Sequence, residues 1–238
     1  FAAFVGERAD GHDFAEQARA AGAVAVLGTR ATPVPTIVVP DTRVALGRLA
    51  RAVVDRLPEL TIVGVTGSSG KTSTKDMIVA LLARHGPTVG PPGSFNNELG
   101  LPHTVLKVDA GTRYLVLEMG SRGEGHISYL CDIAPPRIAV EINVGVAHIG
   151  EFGSVDAIAR AKAELVRALP ADGVAVLNAD DERVRAMADQ TTATVVLAGE
   201  AADATVRASD VALDERGRAT YTLSTPEGQA TFRLRVAG

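Results

Sequence analysis

This 238-residue sequence predicts an α/β fold: a mostly parallel sheet with helices on both faces, extended by an antiparallel meander. Three observations lead there. From Leu60 onward, short apolar runs alternate with amphipathic ones, the pattern of strand–helix units feeding a parallel sheet. One junction, Thr61 to Lys75 (TIVGVTGSSGKTSTK), passes from strand through a glycine turn into a helix start. From Ala204 onward the runs alternate around short turns, as antiparallel hairpins do. A smaller, partial α/β unit precedes the sheet, and Pro58 marks the expected boundary, giving units 1–58 and 59–238.

The elements follow in order. Phe1–Val5 reads as a strand and GERADGHDF as a turn-rich loop, in which His12 and Asp13 are expected to close the loop and cap a helix. Glu16–Ala21 reads as helix, stopped by Gly22 in the position where glycine ends helices. Ala23–Leu27 and Thr36–Val39 read as short buried strands. Asp41 can cap the next helix, whose expected inner face is Leu46, Leu49, Val53, Val54 and Leu57. After the glycine turn, the expected inner face of the helix is Met77, Ile78, Leu81 and Leu82. Then come Pro87-Thr88-Val89, a loop GPPGSFNNELGLP, a strand over Arg113–Met119, a helix near Gly125–Ile133 and a strand over Arg137–Asn143. Ser154 caps a helix carrying Ile158, Ala161, Leu165, Val166 and Leu169. Gly173–Leu177 and Ala193–Ala198 complete the parallel set. Ala204–Leu213, Ala219–Ser224 and Gln229–Val236 form the meander.

Composition narrows the function. At 46% hydrophobic and 22% charged, the chain is ordinary globular protein. A net charge of −4 gives no electrostatic case for nucleic acid or an anionic membrane surface, and no apolar run approaches the length of a membrane span. One cysteine, Cys131, rules out an internal disulfide and fits a reducing, cytoplasmic compartment; its apolar neighbours Ile127, Tyr129 and Leu130 predict a buried, inert thiol. The chain lacks an initiator methionine and starts on a strand without a lead-in, so a piece of a longer protein is expected.

The glycine turn is a phosphate cradle. Gly67 and Gly70 reach backbone angles that let successive N–H groups point at one anion, and the helix beginning near Lys71 adds its positive end. The candidate phosphate contacts are Gly67, Ser68, Ser69, Gly70, Lys71, Thr72 and Ser73. Lys71 supplies a point charge for the outer phosphates and the Thr72 hydroxyl a magnesium ligand. The spacing is G-x-x-G-K-T, shorter than the standard Walker pattern, with Val65 where that pattern has its first glycine. A plain strand-to-helix turn is the alternative, but strand, glycines, lysine, hydroxyl and helix stand in the order nucleotide binding requires.

Ligands of open α/β sheets bind beyond the carboxyl ends of the strands. Glu118 lies there after Tyr114–Leu117, Asn143 and His148 after the next strand, Asn178 and Asp180 after another. A carboxylate at a strand tip is costly unless paired or metal-bound, and magnesium takes oxygens, so Glu118 with Thr72 makes a candidate site. Each residue has a plainer reading. Glu118 could pair with Arg122, His148 and Asn96-Asn97 could be turn residues, and Lys162 could be an exposed partner of Glu164 or Asp156.

The motifs TGSSGKTSTKDM, SFNNELGLP, LEMG, NVGVAHIGEFGS, AKAEL and LNADDE, in this order and spacing, resemble the Mur ligases along the whole chain. Glu-Met-Gly at 118–120 and Gly-x-Ala-His at 145–148 look like the branch that joins D-alanyl-D-alanine to UDP-N-acetylmuramoyl-tripeptide. The resemblance implies an amide ligase using ATP and Mg2+ and working through an acyl phosphate; a monomer is the expectation, although the sequence does not give oligomeric state. It implies that Thr72 and Glu118 hold one magnesium, that His148 helps hold a second, and that Lys162 carries a carbamate. Asn97 would lie at the nucleotide and metal site, Asn178 at the adenine, and Lys71, His148 and Lys162 would serve catalysis. Residues 1–58 would hold the UDP-sugar and residues 59–238 the ATP; a third domain for the amino substrate would lie outside the chain. Glu141 departs from the family, which more usually has an apolar residue there. Two other readings remain: the preceding ligase, which adds the third amino acid, and a phosphate-loop kinase or NTPase that makes no amide bond.

Overall fold

The computed structural model describes residues 1–146 and 149–237, without the side chains of Ile149 and Glu151. Its centre is one nine-stranded sheet. In chain order the strands are β3 (Thr61–Thr66), β4 (Thr88–Val89), β5 (Tyr114–Glu118), β6 (Ile138–Glu141), β7 (Val174–Asn178), β8 (Thr194–Gly199), β9 (Val206–Leu213), β10 (Arg218–Thr225) and β11 (Gly228–Ala237). Their spatial order is β11-β10-β9-β8-β7-β6-β3-β5-β4. All neighbours from β4 to β9 pair in parallel, and only the β9–β10 and β10–β11 pairs are antiparallel. The meander therefore extends the same sheet. A separate two-stranded parallel sheet joins β1 (Val26–Gly28) and β2 (Thr36–Val38).

From β3 the chain first moves to one edge, making β4 and β5, and then crosses to the other side of β3 to make β6. The connections following β3 and β6 thus run in opposite directions, and a crevice opens at the carboxyl ends of these two strands, the switch-point position at which such sheets bind ligands.

Alternate residues of each strand serve different faces. Ile62, Leu115, Leu117 and Ala139 join the main core with helices α4 (Gly100–Val105), α5 (His126–Ile133) and α7 (Val155–Arg167). Val63, Val65 and Val116 form a second, smaller core under α3 (Lys71–Leu82), where Ile78, Val79 and Leu82 pack. A third cluster of Ala3, Ala15, Val26 and Val34 belongs to the first unit, with α1 (Ala15–Ala20). Helix α2 (Thr42–Val54) leads from that unit into the rest. Asp41 starts it, its Oδ1 accepting from the N–H groups of Arg43 at 2.7 Å and Val44 at 3.0 Å, and its Ala50, Val53 and Val54 pack into the main core. Short helices α6 (Ile149–Phe152) and α8 (Glu182–Arg185) complete the set. Among the described residues, no helix is long and apolar enough to cross a membrane.

Several local expectations need correction. The strand at Thr36–Val38 forms but is not buried, Ile37 and Val38 being exposed on the small two-stranded sheet. Phe1–Val5 makes only single bridges, Ala2 to Leu27 and Val5 to Asp10, because its backbone pairs with one short strand and one turn. In α3, Met77 and Leu81 are exposed; the inward stripe is the buried Lys75 with the half-buried Ile78, Val79 and Leu82, an i, i+3, i+4, i+7 series whose first member is a lysine. In α2, Leu49 is exposed beside an apolar groove shared with Ile37 and Phe95, and the buried positions are Thr42, Leu46, Gly47 and Ala50. The loop before β5 contains helix α4, which Thr104 and the apolar Leu101 and Val105 anchor from within.

Candidate active site

The phosphate loop lies between β3 and α3. Gly70 caps α3 in the left-handed region at φ 78°, and no side chain occupies the helix's first N–H groups. That leaves the donors and the positive end of a twelve-residue helix open to an anion. The loop is fastened from β6: Asn143 Oδ1 accepts from the N–H of Ser68 at 2.9 Å and of Ser69 at 3.0 Å, and Ser68 Oγ accepts from the N–H of Gly145 at 2.8 Å. Lys71 folds over the loop and donates from Nζ to the Gly67 carbonyl at 2.8 Å. Ser73 is exposed on the first turn of α3.

Parallel register places Val65 beside Glu118, so the tip of β5 stands next to the loop. Glu118 is buried. The Thr72 hydroxyl donates to its Oε2 at 2.7 Å and the Asn96 amide to its Oε1 at 2.7 Å. Arg122 is not among its partners. Among the described residues, no group of three or more His, Cys, Asp or Glu could hold a metal ion. A cation here would rest on one carboxylate, one hydroxyl and the oxygens of a bound phosphate chain. This hard-oxygen set fits magnesium, which binds few protein ligands and keeps waters.

On the opposite face of the sheet, α7 carries Lys162 to the same crevice. Ser154 starts this helix, its Oγ accepting from the Ala157 N–H at 3.1 Å. Lys162 is only 6% exposed, and neither suggested partner pairs with it. Glu164 instead accepts from the N–H groups of Gly125 at 2.5 Å and Ser128 at 2.9 Å, while Asp156 meets Arg183 at 3.4 Å. Burial lowers the Lys162 pKa to about 8; the nearby Glu141 opposes this and Lys71 adds to it.

Glu141, at the end of β6, is 1% exposed, and among the described residues neither carboxyl oxygen has a hydrogen-bond partner. Its register neighbour Thr66 likewise has a buried hydroxyl with no partner among the described residues. Burial holds the Glu141 carboxyl well above the usual range; Lys162 works against this and Asp181 reinforces it. Cys131 is buried beside Met119, and burial pushes its thiol up to about 12, so the inert reading holds.

Asn97 lines the crevice, but its Oδ1 accepts from the N–H groups of Leu99 at 3.2 Å and Gly100 at 2.9 Å, opening α4. Asn178 joins two strand ends: its Nδ2 donates to the Ile142 carbonyl at 2.8 Å and its Oδ1 accepts from the Asp180 N–H at 2.9 Å. His148 lies outside the described residues.

A cavity of about 450 Å³ opens beside the phosphate loop, lined by Gly67, Ser68, Lys71 and Asn97 together with Arg122, Lys162 and, from the start of α2, Arg43. Four cations against the two carboxylates Asp41 and Glu98, with the helix end, suit it to an anionic ligand. Sequence reasoning did not assign roles to Asn143 and Arg43, and it left Asn96 as a turn residue. For Asn143 the available signal was its place at a strand's carboxyl end; Arg43 reaches the site from the first unit, which no local pattern reveals.

Comparison with known proteins yields concordant matches. The family description "Mur ligase middle domain" fits residues 65–238, and "Mur ligase family, catalytic domain" fits residues 1–54. The chain is 49% identical to the UDP-N-acetylmuramoyl-tripeptide--D-alanyl-D-alanine ligase of Mycobacterium bovis, over 100% of this chain and 51% of that protein. It is similar to the crystal structure of MurF from Acinetobacter baumannii, with TM-score 0.91 and 35% identity, covering 100% of this chain and 52% of that one. The MurF ligase of Thermotoga maritima, solved in complex with ADP, gives TM-score 0.87 and 33% identity, covering 100% and 55%. The chain thus spans about half the length of the relatives it matches.

Proposed function

This chain belongs to the Mur ligase family, and we propose that it is the nucleotide-binding part of an ATP-dependent ligase that joins D-alanyl-D-alanine to UDP-N-acetylmuramoyl-tripeptide in the cytoplasm. The observation that carries the reading is the junction of two unlike groups in one cavity. Lys71 of the phosphate loop lines the same cavity as Arg43, Arg122 and Lys162, and the next residue, Thr72, donates to Glu118. A ligase that activates a carboxylate must bring two anions together, and this cavity is lined by cations both from the phosphate loop and from outside it. The names of the relatives, and the ADP found with one of them, support the substrates.

The chemistry follows from charge. An oxygen of the tripeptide carboxylate attacks the γ-phosphorus, and ADP leaves. The amine of D-alanyl-D-alanine then attacks the acyl carbon, and phosphate leaves with that oxygen. Lys71 and the loop N–H groups offset charge on the phosphates, and the open start of α3 adds its dipole. Thr72 and Glu118 would hold magnesium, which neutralises phosphate charge when bound. Residues 1–58 are assigned to the UDP-sugar and residues 59–238 to ATP.

Lys162, with its pKa of about 8, carries enough neutral amine near neutral pH to add carbon dioxide; the carbamate is a carboxylate on a long stem, suited to a hard cation. Asn97, Asn178 and His148 are assigned to the nucleotide and metal side on the family resemblance.

The test is acceptor dependence in the full-length protein. Phosphate release from ATP, with UDP-N-acetylmuramoyl-tripeptide present, is expected to require D-alanyl-D-alanine. Release driven by a single amino acid on the dipeptide substrate would favour the preceding ligase. Release indifferent to any acceptor would favour a simple NTPase.

A further inference from the structure

We propose that Lys75 is a positioning residue for the metal side of the site: it holds the 90–95 loop so that Asn96 meets Glu118. This rests on the nucleotide reading above and assigns a role to a residue that reading does not use.

Lys75 occupies an apolar-stripe position of α3, one turn after Lys71 and Thr72, and is fully buried. A lysine at such a position must satisfy three N–H donors or be displaced by an apolar residue. All its acceptors are present. Nζ donates to the Pro91 carbonyl at 2.7 Å and to the Gly93 carbonyl at 3.2 Å, and lies 2.6 Å from Asp76 Oδ1. Two of the three are backbone atoms of one loop, so the ammonium ties that loop to the helix.

The loop ends at Asn96, whose amide donates to Glu118 Oε1 at 2.7 Å and whose carbonyl accepts from the Gly120 N–H at 2.9 Å. The other Glu118 oxygen takes the Thr72 hydroxyl. Helix α3 therefore reaches Glu118 twice: directly through Thr72, and through Lys75, the loop and Asn96. With both arms in place the carboxylate is fixed in one orientation beside the phosphate loop. Without the Lys75 arm, one of its oxygens loses its fixed donor.

The experiment measures ADP binding to the full-length protein by calorimetry over a magnesium series and in EDTA. Lys75→Met is expected to raise the magnesium concentration for half-maximal tightening by about tenfold, the range for loss of an outer-shell partner. Affinity in EDTA should stay within about twofold of wild type, because the loop N–H groups and Lys71 are untouched. Asn96→Ala should give a similar shift, and the double variant no more than the larger single one, since both act through one contact. Hydrogen exchange at residues 94–97 should rise in Lys75→Met without metal.

If Lys75→Met does not fold, Gly93→Ala decides. The glycine has φ 63° and an added methyl meets nothing within 4 Å, so the change strains only the loop, and it must raise the magnesium requirement in the same direction. An unchanged requirement in whichever variant folds overturns the proposal, and so does additivity in the double variant. If wild type itself binds ADP with no magnesium dependence, the nucleotide-and-metal reading falls and this proposal falls with it. If wild type shows the dependence and the variant matches it, only the role of Lys75 falls.

Discussion

At the residue scale, the site is governed by charge placed where water is scarce. Lys71 sits on the Gly67 carbonyl, a weak partner that a phosphate chain can replace. Lys71→Ala is expected to weaken nucleotide binding about ten- to hundredfold, the loss of one charge-assisted contact, with folding intact; calorimetry with ADP checks it. Lys162→Ala is expected to abolish ligation in the full-length protein, with partial recovery when short carboxylates are added; full activity in the variant would remove the carbamate role. Glu141 tests the electrostatics separately. Its carboxyl is held above the usual range in the folded state, so the unfolded state ionises first as pH rises. Its contribution to stability is complete at acid pH and is lost as pH climbs through and beyond the ordinary carboxylate range. Glu141→Gln cannot titrate. Wild-type stability is therefore expected to fall relative to the variant between acid and neutral pH, as read from urea midpoints across that range.

At the element scale, helices deliver the chemistry and their starts determine where. The uncapped start of α3 is left to the ligand, whereas α2 and α7 are capped by Asp41 and Ser154. Ser154→Ala should cost about 1 kcal/mol, seen as a lower urea midpoint at unchanged slope, since it removes one satisfied N–H at the helix that carries Lys162. This scale also explains what the sequence made legible. The phosphate loop was readable because strand, turn and helix start are adjacent and each residue type has a local reason to be there. Helix α3 was misphased because its true stripe begins with Lys75, a residue that pattern reading counts as polar. Helix α4 was hidden among Gly, Pro and Asn because its formation depends on Asn97 accepting two N–H groups and on Leu101 and Val105 entering the main core. The burial of Lys162 comes from packing of α7 on the sheet, and no spacing announces it.

At the scale of the whole molecule, the sheet order does the assembling. Placing β6 beside β3, on the side away from β5, brings Asn143 against the phosphate loop and Glu141 towards Lys162, although these residues are far apart in sequence. The parallel character and the meander were legible from strand patterns; continuity between them was not, because the pairing of β8 with β9 covers only Ala198–Val206 and Gly199–Arg207. The crevice that results gathers Lys71, Arg43, Arg122 and Lys162, and the proposed reaction phosphorylates a carboxylate there. Isotope transfer tests this most directly. With 18O in the terminal carboxylate of UDP-N-acetylmuramoyl-tripeptide, the full-length protein, ATP and D-alanyl-D-alanine should yield inorganic phosphate carrying one 18O for each amide bond formed. Phosphate free of label, with oxygen drawn from water instead, would contradict the acyl-phosphate account.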